Sequence, residues 1–147
     1  MKFLFMALAA LGLTFSTVVY ASDTPAPDDA AVYFVNLKDG DSVSSPFKVI
    51  FGLSGMGVAP AGVEKDGTGH HHLFIDRPDL GKGDDGMDEL ESNIPSDDNH
   101  KHFGKGQTET TLTLPAGTHT LQLVLGDQNH IPHNKPVTSE RITITVK

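Results

Sequence analysis

The sequence predicts an all-β protein: a single antiparallel β-sandwich, immunoglobulin-like, carrying an acidic loop insertion. Three observations carry that expectation. Several segments alternate apolar and polar residues with a period of two, Gly- and Pro-containing stretches separate them, and no segment makes a convincing helix. With 147 residues and 37% apolar content, the chain is long enough for one core and too short to expect two.

The elements follow in order. Residues 1–21, MKFLFMALAALGLTFSTVVYA, join one early Lys to an apolar run from Phe3 to Leu13 and end at Val19-Tyr20-Ala21. That is the pattern of a secretory signal cleaved before Ser22, and the run is too short to span a membrane. Residues 22–30, SDTPAPDDA, read as a flexible leader, and the sandwich domain is expected over residues 31–147. AVYFVNLKDGDSV opens the domain with a strand ending at Asp39-Gly40. FKVIFGL then places Phe47, Val49, Phe51 and Leu53 on one face. HHHLFID is a strand whose core face holds Leu73 and Ile75. TETTLTL and HTLQLVLGD are two strands joined through Pro115-Ala116-Gly117. RITITVK alternates Ile142, Ile144 and Val146 with Thr143 and Thr145.

Charge narrows the partners. The formal net charge is −8, and loss of Lys2 with the signal makes it −9. Such an acidic surface argues against nucleic acid or anionic lipid as partner, and no later segment is long enough for membrane insertion. The absence of cysteine excludes a lipid-anchored cysteine, a thiolate zinc site and a blue-copper centre. It also fits a periplasmic or secreted protein without disulfides. The acid is concentrated between residues 76 and 98, where nine carboxylates face only Arg77 and Lys82. This stretch reads as a surface insertion with at most a weak helical turn around Met87–Leu90, and no D-x-D-x-D-G run makes it a calcium loop.

Eight histidines remain, six of them in paired spacings within three segments. In TGHHHLFID, strand alternation puts His71 on the core side with Leu73 and Ile75, and His70 and His72 together on the other. NHKHFGKGQTE supplies His100 and His102, and GDQNHIPHNKP supplies His130 and His133. All three lie at strand ends or in loops, where sandwich proteins place their sites. His119 is different, because it alternates in phase with Leu121, Leu123 and Leu125 and is expected as a core-edge residue bonded to a neighbouring loop.

Imidazoles in pairs suit a transition-metal ion. Zinc and copper take neutral ring nitrogens at about 2.0–2.1 Å, and an H-x-H pair on extended chain sets both rings on one face. His70, His72, His100, His102, His130 and His133 are therefore the expected ligands. Copper ranks ahead of zinc because it heads the affinity order for nitrogen donors. His71, Asn99, Gln107, Glu109 and Asp127 are the candidates for a second shell or a polar network around them. Met56 and Met87 are thioether candidates that serve equally well as packing or loop residues.

The strings VYFVNLKDGDSVSSPFKVIFGLSGMGVAPAG, TGHHHLFID, IPSDDNHKHFGKGQTE and LPAGTHTLQLVLGDQNHIPH together resemble a family of small exported bacterial proteins classed as a domain of unknown function. The likeness runs from Val32 to Val146. It implies that the three histidine segments belong to the family pattern together with Asn99, Gln107 and Thr108, and it implies no activity. Pro78–Glu91 is longer than the usual connection and receives no role from the resemblance.

Other motifs fail. Glu109 lies six residues after His102, too far for the carboxylate of a cupin, and Ser22 stands where a histidine-brace oxygenase would need His. GLSGMG lacks the spacing of a nucleophile elbow and the third glycine of a dinucleotide loop. The expectation is a periplasmic metal-binding protein, most of all for copper, that captures, buffers or delivers its ion to a periplasmic acceptor protein. Two alternatives stand beside it: a non-metal binding or structural module whose histidines form a buried polar network, and a metal-dependent enzyme.

Overall fold

Each alternating segment must hide one face, and two stacked sheets accomplish this. The computed structural model describes residues 24–90 and 92–147, so the expected signal, residues 1–21, lies outside the described residues. In chain order the elements are β1 (Ala31–Phe34), β2 (Ser42–Val43), β3 (Phe47–Ser54), β4 (Gly57–Val58), β5 (Thr68–Ile75), α1 (Gly83–Leu90), β6 (His100–His102), β7 (Glu109–Leu112), β8 (Gly117–Gly126) and β9 (Ile142–Val146).

One sheet has the order β1-β3-β7, and the larger has the order β2-β9-β8-β5-β4 with β6 also paired to β5. The result is the all-β sandwich that the alternation predicts. The long pairings are antiparallel, while the two-residue strands β2 and β4 join β9 and β5 in parallel. Leu73, Leu121, Leu123, Leu125, Ile144 and Val49 are fully buried between the sheets. Each such side chain contributes about 1.5–3 kcal/mol of burial free energy.

The outer face of the larger sheet is covered as well, and this positions the histidines. Phe74 and Val124 point away from the main core and form a second apolar cluster with Ile94, against which Leu80 packs. Ile94 and Leu80 belong to the acidic insertion. The insertion is thus more than a solvated loop: its apolar residues cover Phe74 and Val124, and its middle forms the eight-residue helix α1. Asp84 and Asp85 in the first turn suit the positive end of the helix dipole.

Of the expected leader, residues 22–30, the described part begins at Thr24 and is bonded to the domain. Pro25 bridges Asn134, the Ala26 amide donates to the Asn134 carbonyl, and the Asn134 amide donates to the Thr24 carbonyl. His119 meets its expectation of a neighbouring-loop bond. Its Nδ1 lies 2.8 Å from an Asp76 oxygen and its Nε2 3.0 Å from the Pro115 carbonyl.

Candidate metal centre

The centre is built on β5. Alternation along this strand turns His71, Leu73 and Ile75 into the inter-sheet core and His70, His72 and Phe74 to the outer face. Register then brings the second segment in. His102 pairs with His72 across the β5–β6 ladder, and Phe74 pairs with His100. The third segment arrives by a turn. β8 ends at Gly126, opposite His70, and the chain folds back so that His130, at φ 67°, reaches the same place.

Four imidazoles therefore meet. The His70 and His72 rings are fully buried, with their Nε2 atoms 3.0 Å apart. Ring centroids of His70 lie 4.8, 5.1 and 5.0 Å from those of His72, His102 and His130. The His72–His102 and His102–His130 separations are 5.1 and 4.7 Å, and only His72–His130 is longer, at 6.0 Å. Four imidazoles held tetrahedrally by one ion at 2.0–2.1 Å would place their ring centroids about 5 Å apart. The four rings have that spacing with one edge stretched. Donor atoms of His70, His102 and His130 lie within 4.8 Å of one another.

Three of their ring nitrogens lack partners. His70 Nδ1, His72 Nδ1 and His102 Nε2 are buried with no hydrogen bond. Two neutral imidazoles that share one proton between their Nε2 atoms must leave an N–H on one Nδ1 without an acceptor, at a cost of about 1–3 kcal/mol. Burial keeps these rings neutral. It pushes the His70 pKa down to about 4, helped by repulsion from His102 and His130 and opposed by the Asp127 carboxylate. Burial, then repulsion from His70, His102 and His130, pushes His72 lower still, and burial followed by His130 lowers His102.

Glycines make room for the rings. A Cβ on Gly104 would collide with the imidazole of His102, and one on Gly126 would lie 2.9 Å from His72 Nε2. Alternation gave no signal for Gly104, whereas a glycine closing the apolar run LQLVLG is a recognisable mark of close approach.

The other expected residues go elsewhere. His100 is not in the cluster: its Nε2 lies 2.9 Å from Glu89 Oε1 and its Nδ1 2.9 Å from Asp97 Oδ1. His133 is fully buried on backbone groups, 3.4 Å from the Leu125 carbonyl and 3.3 Å from that of Thr68. His71 packs on Phe51 at 5.2 Å with no hydrogen bond within geometric range on either ring nitrogen, and burial pushes its pKa down to about 4, opposed by the nearby Gln107 backbone.

Asn99 ties the chain before β6 to β5 by donating to the Ile75 carbonyl at 2.9 Å, and Gln107 accepts from the Lys105 amide within its own turn. Glu109 forms an exposed pair with Lys48 in the other sheet, away from the rings. Asp127 does border the cluster. It is 2% exposed and accepts from the amides of Asn129 and Ile131 and from Thr24 Oγ1, which fixes the turn that carries His130. Met56 packs on the inter-sheet core and Met87 is exposed on α1, so the cluster has nitrogen donors and no thioether.

The family model described as Domain of unknown function (DUF4399) matches residues 49–147, a span that holds every histidine of the chain. No curated protein and no solved structure matches it.

Proposed function

The chain belongs to the DUF4399 family, and we propose that it is a periplasmic carrier of a transition-metal ion, copper foremost, held by His70, His102 and His130, whose donor atoms converge, with His72 beside His70 as the fourth ligand. The observation that carries this reading is the convergence of four imidazoles from three chain segments at centroid spacings of 4.7–6.0 Å. The expected ligand set of six narrows to these four.

The competing readings have less support. A polar network that fixes loops needs each buried member bonded, and here His70 Nδ1, His72 Nδ1 and His102 Nε2 are not. A metal-dependent hydrolase keeps a coordination position for water, whereas four imidazoles fill a tetrahedral shell. Capture, buffering and delivery suit a filled shell that can exchange through its less buried members, His102 and His130. Copper is favoured over zinc by the affinity order for nitrogen ligands. Export rests on the sequence of residues 1–21. Among the described residues no helix is long and apolar enough to cross a membrane.

The test uses untagged chain lacking residues 1–21, stripped with chelator and titrated with Cu(II), Cu(I) and Zn(II) by calorimetry and absorption. The expected result is one ion per chain with sub-micromolar affinity that His70→Ala with His102→Ala removes. Affinity no better than weak micromolar, unchanged in that double variant, would overturn the reading.

A further inference from the structure

The acidic insertion leaves β5 at Asp76 and returns to β6 before His100, so it connects the two strands that carry His72 and His102. Between these points it reaches sideways to the turn that carries His130. The Ile94 amide donates to the His130 carbonyl at 2.8 Å, and Asn93 Nδ2 donates to the Asn129 carbonyl. Ile94 itself is anchored in the cluster with Phe74 and Val124. The insertion also grips β6. Glu89, 8% exposed on α1, takes both Arg77 and the His100 ring on its Oε1, at 2.7 Å from Arg77 Nε and 2.9 Å from His100 Nε2. Thus one segment is bonded both to the turn that carries His130 and, through His100, to the strand that carries His102.

We propose that the insertion is a strap that controls exchange of the ion, with Glu89 and Ile94 as positioning residues that hold His102 and His130 in place. This rests on the metal reading above and specifies how the centre is regulated. The physical asymmetry supports it. His70 and His72 are fixed on a central strand paired along its length with β8, whereas His102 sits on a three-residue edge strand and His130 in a turn. Local opening begins where packing and ladder bonds are fewest. When the strap lifts, His102 and His130 are freed first. The ion is then left on the His70–His72 pair with coordination positions open to an acceptor's ligands.

The experiment measures transfer of Cu(II), and separately Zn(II), from loaded protein to excess chelator in stopped flow. Glu89→Ala and Asn93→Ala are compared with the parent, and Lys82→Ala, on the exposed side of the same segment, is the control. Release is expected to accelerate about tenfold in Glu89→Ala and a few-fold in Asn93→Ala, with no change in Lys82→Ala. Glu89→Gln retains an oxygen acceptor for Arg77 and His100 and is expected to restore most of the parent rate. Hydrogen exchange should quicken at Lys101, His102 and residues 129–131 while the β8 and β9 amides stay protected, which separates a lifted strap from general destabilisation. Parent-like release from both Glu89→Ala and Asn93→Ala, in a protein that does bind the ion, overturns the strap and leaves the metal reading standing. Failure of the parent chain to bind either ion overturns both.

Discussion

His100 and His102 stand two residues apart on one short strand, on the same outer face, and meet opposite surroundings. His100 has a carboxylate oxygen 2.9 Å from each ring nitrogen, from Asp97 on one side and Glu89 on the other. His102 has three other imidazoles around it and a buried Nε2 with no partner. Neither spacing nor burial separates these roles, since His100 is the more buried of the two and shares the H-x-H pair. What separates them is whether the ring nitrogens are already bonded. A satisfied imidazole holds structure together; a group of unsatisfied neutral ones has nitrogens free for the proposed ion.

That contrast predicts a crossed pattern of damage, and the largest effect falls on the unsatisfied set. His70→Ala with His72→Ala is expected to lower ion affinity at least a thousandfold, and its cost to the apo protein is that of the cavity left by two buried rings, offset in part because their Nδ1 atoms had no partner. His100→Ala is expected to act chiefly on stability. It leaves Glu89 buried with Arg77 alone and costs about 1–3 kcal/mol in denaturant unfolding, with at most a tenfold change in affinity. If His100→Ala abolished binding as fully as the double variant, the division between the two histidines would be broken.

The next largest effect tests the turn that brings His130 to the cluster. Asp127→Ala removes the acceptor for two amides and the Thr24 hydroxyl and withdraws a negative charge near His70. A ten- to hundredfold loss of affinity is expected, the usual range for residues that orient metal ligands. Asp127→Asn keeps one carbonyl oxygen for the amides and should lose less, which separates positioning from charge. Equal losses in the two variants would assign the effect to the charge.

How much of this could be read from the chain depended on distance along it. The split of the histidine triplet was legible because alternation is local: Leu73 and Ile75 fix the face of His71, and β5 follows them. The sandwich was legible for the same reason in β3, β8 and β9. The partition of HKH and HIPH was not. It depends on register between β5 and β6, on the left-handed turn at His130 and on carboxylates from an insertion whose composition reads as solvent-exposed. Glu89 and Ile94 are single residues inside that acidic stretch, and only the tertiary structure shows that Phe74 and Val124 needed a cover.

A smaller effect tests how closely His102 must sit. Gly104→Ala would push its ring from the cluster, because the new Cβ occupies the place of the imidazole edge. The ring lies at the less buried side and can swing outward, so stability should change by under about 1 kcal/mol. Ion affinity should fall several-fold to tenfold in the same titration. Unchanged affinity would show that three imidazoles suffice and that His102 is dispensable to the centre.

The smallest expected effect concerns His119, which extends the contrast because it is bonded at both ring nitrogens and lies away from the four rings. The hydrogen bond to Asp76 raises its pKa above the ordinary value, against partial burial and with further help from the Pro115 carbonyl. A folded-state pKa above the unfolded one means that the charged form stabilises the fold. That contribution is fully present below the unfolded value of about 6.5 and is lost as pH rises through the folded value. His119→Gln should therefore lower stability more at pH 5.5 than at pH 8.5. The difference should stay under about 1 kcal/mol, because Asp76 is well exposed to solvent and screening weakens the pair. Urea unfolding of parent and variant at the two pH values measures it. A loss of equal size at both would mean that the neutral imidazole already supplies everything this residue contributes. Partnered histidines in this fold would then act through hydrogen bonding alone.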